Sequence, residues 1–537
     1  MKTVLIGINA KYIHPNLAIR LLKANTNYNT DILEFNIKDN YLDIFNKIKD
    51  YDIICFSTYI WNIEIIKEIL KLLKNDNKII ILGGPEVSYN AKYYFDNKLC
   101  NYIIKNEGEE CFNMLLSHII DNKYKIDEIP NLYYDNKYTF DKFVDLDKLN
   151  FAYDLLNDLE NQITYVETSR GCPYKCGYCM ASLEKRVRTF NIDKVKIEIK
   201  KLIDRGARII KFLDRTFNAN KNNFLSLIDY IIEVHKPNNS FQFEITGDLL
   251  DPSIIEYINN KAPKNLFRFE IGIQSTNIKA NRAVGRIQDN EKLFNNIRLI
   301  QDKNIIDLHL DLIAGLPYED YNSFINTFNE VVSLRPKELQ LGFLKLLFGT
   351  KMHSDKEMYH YKYMTNAPYE IISNDFLSEN DITNIHITED AFEKYYNSTY
   401  YKNSINLILD NVSNAYNFFF ELGLIYKSNK AKRLEDSFKL LDDFIKTIFN
   451  NTQYNKIHES LIIEYLNIYK VKPTIWWDKL DTKNRNIILR NIKEKENIKY
   501  NIDTLYKYST VVVLEKYYLI AIYKDNSLDL IRIKRTD

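Results

Sequence analysis

The chain has 537 residues, 45% of them hydrophobic, with 73 Lys and Arg against 72 Asp and Glu. This composition excludes a disordered chain, and the length allows several cores. A net charge of +1 gives no support to nucleic acid or an anionic membrane surface as the main partner. No apolar run is long enough to cross a bilayer, so no membrane span is expected. The opening stretch MKTVLIGINAKYIHP lacks the long apolar segment and cleavage site of a signal peptide and reads as a buried strand feeding a loop. A cytoplasmic location is expected on that ground, and there clustered cysteines are metal ligands more often than disulfides.

Five short apolar runs come first: TVLIGI, TDILEF, YDIICFS, KIIILGG and CNYIIKN. Amphipathic stretches such as HPNLAIRLLKAN and WNIEIIKEILKLLK separate them. The alternation predicts an α/β, flavodoxin-like (Rossmann-type) domain over residues 1–127, with ligands beyond the C-terminal ends of its parallel strands. Residues 128–162 predict a hairpin turning at Asp135-Asn136, then a linker. A second alternating series follows over residues 163–347: ITYVET, RIIKFLD, FQFEIT, LFRFEIG, IIDLHLDLIAG and ELQLGFL. Six βα units predict a TIM-like (β/α)6 barrel, complete or partial, whose site lies at the strands' C-terminal ends. Residues 348–537 read as a mainly helical C-terminal domain, closing in two or three antiparallel strands. Two of the three tryptophans fall in IWWDKL, which a substrate pocket and a helical core explain equally well.

The stretch SRGCPYKCGYCMAS follows the first strand of the second series and places Cys172, Cys176 and Cys179 in a Cys-x3-Cys-x2-Cys loop. Thiolates are the ligands of iron–sulfur clusters. Three of them leave one iron of a four-iron cluster open, whereas zinc would normally require a fourth protein ligand nearby. Cys55, Cys100 and Cys111 are scattered and read as core thiols. The loop resembles the signature of the radical S-adenosylmethionine (SAM) superfamily, with Tyr178 in the aromatic slot before the third cysteine. The resemblance implies a [4Fe–4S] cluster on the three sulfurs. It implies that SAM is chelated at the open iron and cleaved by one electron to a 5′-deoxyadenosyl radical. It also implies SAM contacts at the strand ends: Asp214, Thr216 and Asn218 in FLDRTFN, Glu244 in FEITGD, Glu270 and Gln274 in FEIGIQS, Arg286 in AVGR and Gly315 in DLIAGLP.

A flavodoxin-like domain ahead of such a barrel resembles the cobalamin (B12)-binding members of that superfamily. The loops NAKYIHPN, STYIWN, GGPEVS and NEGEE carry the likeness. It implies that these loops line the corrin and its nucleotide tail, with Gly83 and Gly84 leaving room and Ser57 and Thr58 donating hydrogen bonds. The Asp-x-His-x-x-Gly motif of domains that ligate cobalt through histidine is absent. His14, just before Pro15, reads as a helix-entry residue, so no histidine ligation is expected. The region after Leu339 resembles a C-terminal domain of uncharacterised function found in one branch of these proteins. The whole implies a cobalamin-dependent radical SAM enzyme that methylates, or otherwise transforms by radical chemistry, an unidentified small-molecule or peptide substrate. An electron donor such as flavodoxin or ferredoxin would serve it. Two rival readings stand beside this one. One is a methylthiotransferase with a second cluster on Cys55, Cys100 and Cys111. The other is a cobalamin sensor or carrier with a vestigial barrel.

Overall fold

The structure, a computed structural model, describes residues 1–74, 76–429, 433–496 and 498–535. Two compact units divide the chain, Met1–Glu379 and Asn380–Asp537.

The first unit begins with strands β1 (Thr3–Asn9), β2 (Asp31–Asn36), β3 (Ile53–Ser57), β4 (Ile79–Gly83) and β5 (Tyr102–Ile104). They pair in parallel in the order β2-β1-β3-β4-β5, the flavodoxin-like order. β1 and β3 are buried almost end to end, as strands covered on both faces must be. Alternate residues feed opposite cores: Ile6, Ile54 and Leu82 enter one, Leu5, Cys55 and Ile81 the other. Cys100 packs against the first of these cores, while Cys55 and Cys111 lie in the second. The three thiols therefore cannot converge on one cluster.

The hairpin is formed by β6 (Leu132–Tyr134) and β7 (Lys137–Tyr138). Asp135 and Asn136 both have positive φ, 43° and 59°, the pattern of a type I′ turn. β6 bonds antiparallel to β5, so the hairpin extends the first sheet instead of belonging to the connector. It covers an edge that β5 would otherwise leave unpaired.

The second sheet comprises β8 (Ile163–Val166), β11 (Ile209–Phe212), β12 (Ser240–Ile245), β13 (Phe267–Gln274), β14 (Asp307–Ala314) and β15 (Glu338–Phe343). All pairs are parallel, in chain order from β8 to β15. β13 alternates buried and half-buried residues along its whole length, one set against the helices and the other lining the lumen. Between β8 and β11 lies a two-stranded ladder that the sequence pattern did not reveal, β9 (Ser169–Arg170) with β10 (Arg188–Thr189), which closes the base of the cysteine loop.

Residues 348–379 were expected in the C-terminal domain but lie in the first unit. There β16 (Lys362–Tyr363) and β17 (Ile371–Ser373) form a small ladder. This strap touches both halves of the unit. Tyr369 donates its hydroxyl to Glu86 at 2.8 Å, the ring of Tyr89 lies against Gly349, and the Met352 amide donates to the Gly177 carbonyl at 2.9 Å.

The second unit is largely helical. It ends in an antiparallel meander of β18 (Ser509–Val513), β19 (Tyr517–Lys524) and β20 (Ser527–Lys534). Trp476 and Trp477 pack against Leu466, Val512 and Leu519, so the adjacent tryptophans belong to a core.

Candidate active site

Within the first unit a single cavity of about 1100 Å³ is walled by both sheets' C-terminal loops. From the first sheet come His14, Ser57, Tyr59, Trp61, Gly83 and Gly84, with Asn106 to Glu109 after β5. From the barrel come Tyr165, Glu167, Ser169, Arg170, Met180 and Arg215. Behind the loops an apolar recess lined by Leu5, Cys55, Ile81, Ile104 and Phe112 runs back against the sheet. The volume is at the upper end for small-molecule sites. The shape, a polar mouth with an apolar recess, fits a large cofactor with an aromatic tail, as cobalamin is. Tyr59 and Trp61 stack in parallel at 4.4 Å in the wall, and Trp61 is 47% exposed.

The cysteine loop starts where β8 ends. Gly171 sits at φ +89°, and a Cβ there would stand 2.3 Å from the Arg186 carbonyl, so only glycine closes the loop this tightly. Cys172 and Cys176 are buried and Cys179 is half-buried. Among the described residues the one His/Cys/Asp/Glu group whose ligand atoms converge within 4.8 Å is Glu270, His309 and Asp311. The three thiols do not all fall within that distance of one another, whereas zinc with Zn–S of about 2.3 Å would draw them to roughly 3.7 Å. Two guanidinium groups attend them: Arg215 lies close enough to Cys179 to favour its thiolate against the effect of burial, and Arg286 interacts with Cys176. Three thiols not drawn together on one point, with two cations beside them, fit an anionic multi-iron cluster better than a single ion.

The strand-end residues divide. Glu244 stands 3.4 Å from Arg215, and Glu270 accepts from Lys211 at 2.7 Å. Arg286 donates to the Gly272 carbonyl at 2.5 Å and to Gln288 at 2.9 Å, with the Tyr178 hydroxyl 3.5 Å away. Gln274 has φ +67°, and its side-chain oxygen is buried without a partner among the described residues. Asp214 does not face the site as expected. It is 1% exposed and accepts from the Thr168 amide at 3.0 Å, the Thr168 hydroxyl at 2.6 Å and the Ser169 hydroxyl at 2.5 Å. Burial pushes its carboxyl up to about 6 against those three donors. It braces the start of the cysteine loop. Thr216 stands 3.6 Å from the Cys172 sulfur, and Asn218 clips Thr246 through both its amide and its carbonyl. Gly315 makes room for Ile371 of the strap, not for a ligand.

In the first sheet Ser57 lines the cavity, donating to the Ile6 carbonyl and accepting from Asn16 at 2.7 Å. Thr58 is fully buried, with its hydroxyl on the Gly83 carbonyl at 2.9 Å, so it holds the loop and offers nothing to a ligand. Gly84, at φ +115°, is required by that same contact, since a Cβ would meet the Thr58 carbonyl at 2.3 Å. Gly83 is the open one: a Cβ there would touch nothing closer than 3.7 Å. His14 is not the helix entry. Asn16 caps the helix Leu17–Ala24, and His14 places Nδ1 2.6 Å from the Tyr165 hydroxyl on β8. Burial, then Lys11 and Lys211, lower its pKa and so favour the neutral ring.

Sequence reasoning missed the junction between the halves. Arg170, two residues before Cys172, reaches Glu109 at 2.6 Å, Glu167 at 2.9 Å and Glu107 at 3.1 Å. Arg188 pairs with Glu107 and, at 2.7 Å, with Glu184. The signal was present in the charges of NEGEE and SRGC, but only the fold brings them together.

Three family models match consecutive parts of the chain: the B12 binding domain over residues 3–116, the radical SAM superfamily over 166–331, and a protein family of unknown function, DUF4080, over 357–528. An uncharacterized methyltransferase of Pyrococcus horikoshii is 29% identical over 182 residues, 28% of this chain and 37% of the relative. The 2-(S-pantetheinyl)-carbapenam-3-carboxylate methyltransferase of Streptantibioticus cattleyicolor is 20% identical over 355 residues, 60% of this chain and 48% of the relative. The chain spans less than half the length of these two relatives. Among solved structures, the cobalamin-dependent SAM radical enzyme OxsB with aqua-cobalamin bound superposes with a TM-score of 0.57 at 15% identity, covering 92% of this chain and 81% of that one. The radical SAM methyltransferase TsrM from Kitasatospora setae, with cobalamin and a [4Fe-4S] cluster bound, gives 0.55 at 14% identity over 70% and 82%. At such identities the likeness is one of fold. With all three models in this order on one chain, the protein belongs to the cobalamin-binding radical SAM proteins, in the branch that carries the DUF4080 region.

Proposed function

We propose that the chain is a cobalamin-dependent radical SAM methyltransferase acting on a carbon of a small-molecule or peptide substrate. The observation that supports it best is the shared cavity: the loops suited to a corrin and the flanks of the cysteine loop, Gly171 on one side and Met180 on the other, wall the same space. With the cofactors bound, the cluster and SAM would supply a radical able to take hydrogen from carbon, and cobalamin would supply a methyl group. The chain's residues do the rest. Cys172, Cys176 and Cys179 would hold the cluster, with Arg215 and Arg286 balancing its charge. Tyr178, Glu244, Glu270, Gln274 and Arg286 would position SAM. Ser57, Gly83 and Gly84 would border the corrin, with the apolar recess receiving the nucleotide tail. His14 and Tyr165 hold the two halves in register so that both reacting groups reach one substrate, since proximity and orientation carry much of the rate. Enclosure by both sets of loops limits water at the reacting atoms. We divide the roles along the chain as cobalamin binding in the first sheet, SAM chemistry in the barrel, and an open role for the region after residue 379. Such a site works where thiols stay reduced, in the cytoplasm, with electrons from a flavodoxin or ferredoxin. Among the described residues no helix is long and apolar enough to cross a membrane.

The methylthiotransferase alternative needs a second cluster, and Cys55, Cys100 and Cys111 face two different cores. The test is anaerobic reconstitution with iron, sulfide and cobalamin, followed by SAM and dithionite. 5′-Deoxyadenosine together with S-adenosylhomocysteine is the expected product pair. Cobalamin retention without any SAM cleavage would leave the sensor reading in its place.

A further inference from the structure

The lumen of the barrel narrows the substrate class. In closed βα barrels the inward positions are filled mostly by branched apolar residues. Here the positions alternating with buried apolar residues on β11 to β15 carry Lys211, Glu244, Arg268, Glu270, His309 and Glu338. Most are paired closely with one another. Lys211 meets Glu270 at 2.7 Å, Arg268 meets Glu338 at 2.7 Å, and His309 meets Asp311 at 2.9 Å. Burial opposes charge on His309, but Asp311 and Glu338 push its pKa up to about 9 and keep it protonated. These cations already have their anions.

Arg215 differs. It follows β11, lines the cavity, and has a side chain 54% exposed. Among the described residues its one ion-pair contact is with Glu244, through Nη1 alone and at 3.4 Å, while Cys179 and Glu270 act on it from farther off. A guanidinium carries five donors in a planar fork, so Nε and Nη2 stay available. The other cations in the wall are occupied: Arg170 by three carboxylates, Lys105 by the rings of Tyr89 and Tyr138 with Asp141 at 3.8 Å. Among the described residues of the cavity wall, Arg215 is thus the cation with donors to give, and it stands beside the cysteine loop.

We propose that Arg215 anchors an anionic group of the substrate, a carboxylate or a phosphate, by the two-point contact that an arginine fork makes and a lysine does not. The substrate is then an organic acid or a phosphate ester, held with its charged end toward the cysteine loop. This inference rests on the cavity being the active site. Its test is calorimetric titration of the full-length, cobalamin- and cluster-loaded protein, saturated with S-adenosylhomocysteine, using succinate and inorganic phosphate as separate probes. Saturable binding of one or both is expected, weakened about tenfold or more in Arg215→Gln and to a lesser degree in Arg215→Lys. Binding of succinate alone names a carboxylate, and binding of phosphate alone a phosphate ester. The inference falls if neither anion binds the wild-type protein, or if Arg215→Gln and Arg215→Lys both bind as tightly as wild type. It falls too if either variant loses cobalamin or S-adenosylhomocysteine instead of the anion, since Arg215 would then serve a cofactor. Failure of the broader reading looks different: the wild-type protein would retain no cobalamin and no iron.

Discussion

Arg170 Nη2 and Glu109 Oε1 stand 2.6 Å apart, one at the root of the cysteine loop and the other at the start of the helix that follows β5. The contact joins the two halves of the cavity wall. Both side chains are nearly buried, at 11% and 6% exposure, and Glu107 and Glu167 complete the cluster.

Removing one partner of a buried ion pair leaves a desolvated charge, which typically destabilises by about 3–5 kcal/mol. Arg170→Met is therefore expected to lower the urea-unfolding free energy by that order. Arg170→Met with Glu109→Gln should recover part of the loss, because one stranded carboxylate is gone. Equal stability of Arg170→Met and wild type would show that the cluster is no strut between the halves.

The cysteine assignment makes a stoichiometric prediction. Reconstituted wild-type protein should hold about four irons per chain. Alanine at Cys172, Cys176 or Cys179 should remove the cluster's visible absorbance and stop reductive SAM cleavage. Alanine at Cys100, which packs at the edge of an apolar core, should leave the iron content unchanged. About eight irons in the wild type, or loss of iron in the Cys100 variant, would revive a second cluster.

Much of this architecture was legible because periodicity reports burial. Runs such as TVLIGI and KIIILGG are apolar throughout because helices cover both faces of β1 and β4, and FRFEIGIQ alternates because one face of β13 looks into a polar lumen. The cysteine loop was legible because its ligands are local in sequence. What escaped was non-local. Asp214 sits at a strand end, as SAM-binding residues do, yet three donors from Thr168 and Ser169 turn it inward. No pattern near Asp214 announces them. His14 reads as a cap from its neighbours and becomes a clasp only when β8 brings Tyr165 to it. The strap's place in the first unit was hidden likewise, since its attachments to Glu86, Tyr89 and Gly177 lie 170 or more positions back along the chain.

That strap offers a third prediction. Burial pushes the Glu86 carboxyl upward, and the Tyr369 hydroxyl opposes the shift by donating to it at 2.8 Å. Tyr369→Phe keeps the ring against Phe348 but strands the carboxylate, a loss of about 1–3 kcal/mol. Hydrogen exchange should quicken first in residues 362–373 and in the GGPEVS loop. Unchanged protection in both segments would show that the strap is held by packing alone.

The fourth prediction concerns pH. Glu319 is 0% exposed; Ser275 and Thr327 donate to its Oε1 at 2.5 and 2.9 Å, while Oε2 has no partner among the described residues. Burial pushes its pKa from an ordinary 4.5 up to about 7. A raised carboxyl means that the folded chain holds a proton the unfolded chain has released. Its contribution to stability is therefore full below about pH 4.5 and is lost as pH rises through about 7. At pH 8 the loss is on the order of 3 kcal/mol. Glu319→Gln keeps the Oε1 acceptor and carries no titrating proton. The unfolding free energy of Glu319→Gln minus that of wild type should accordingly climb by that order between pH 5 and pH 8. A difference that stays flat across the range would mean that water or a local rearrangement reaches Oε2 and that the group ionises at its ordinary value.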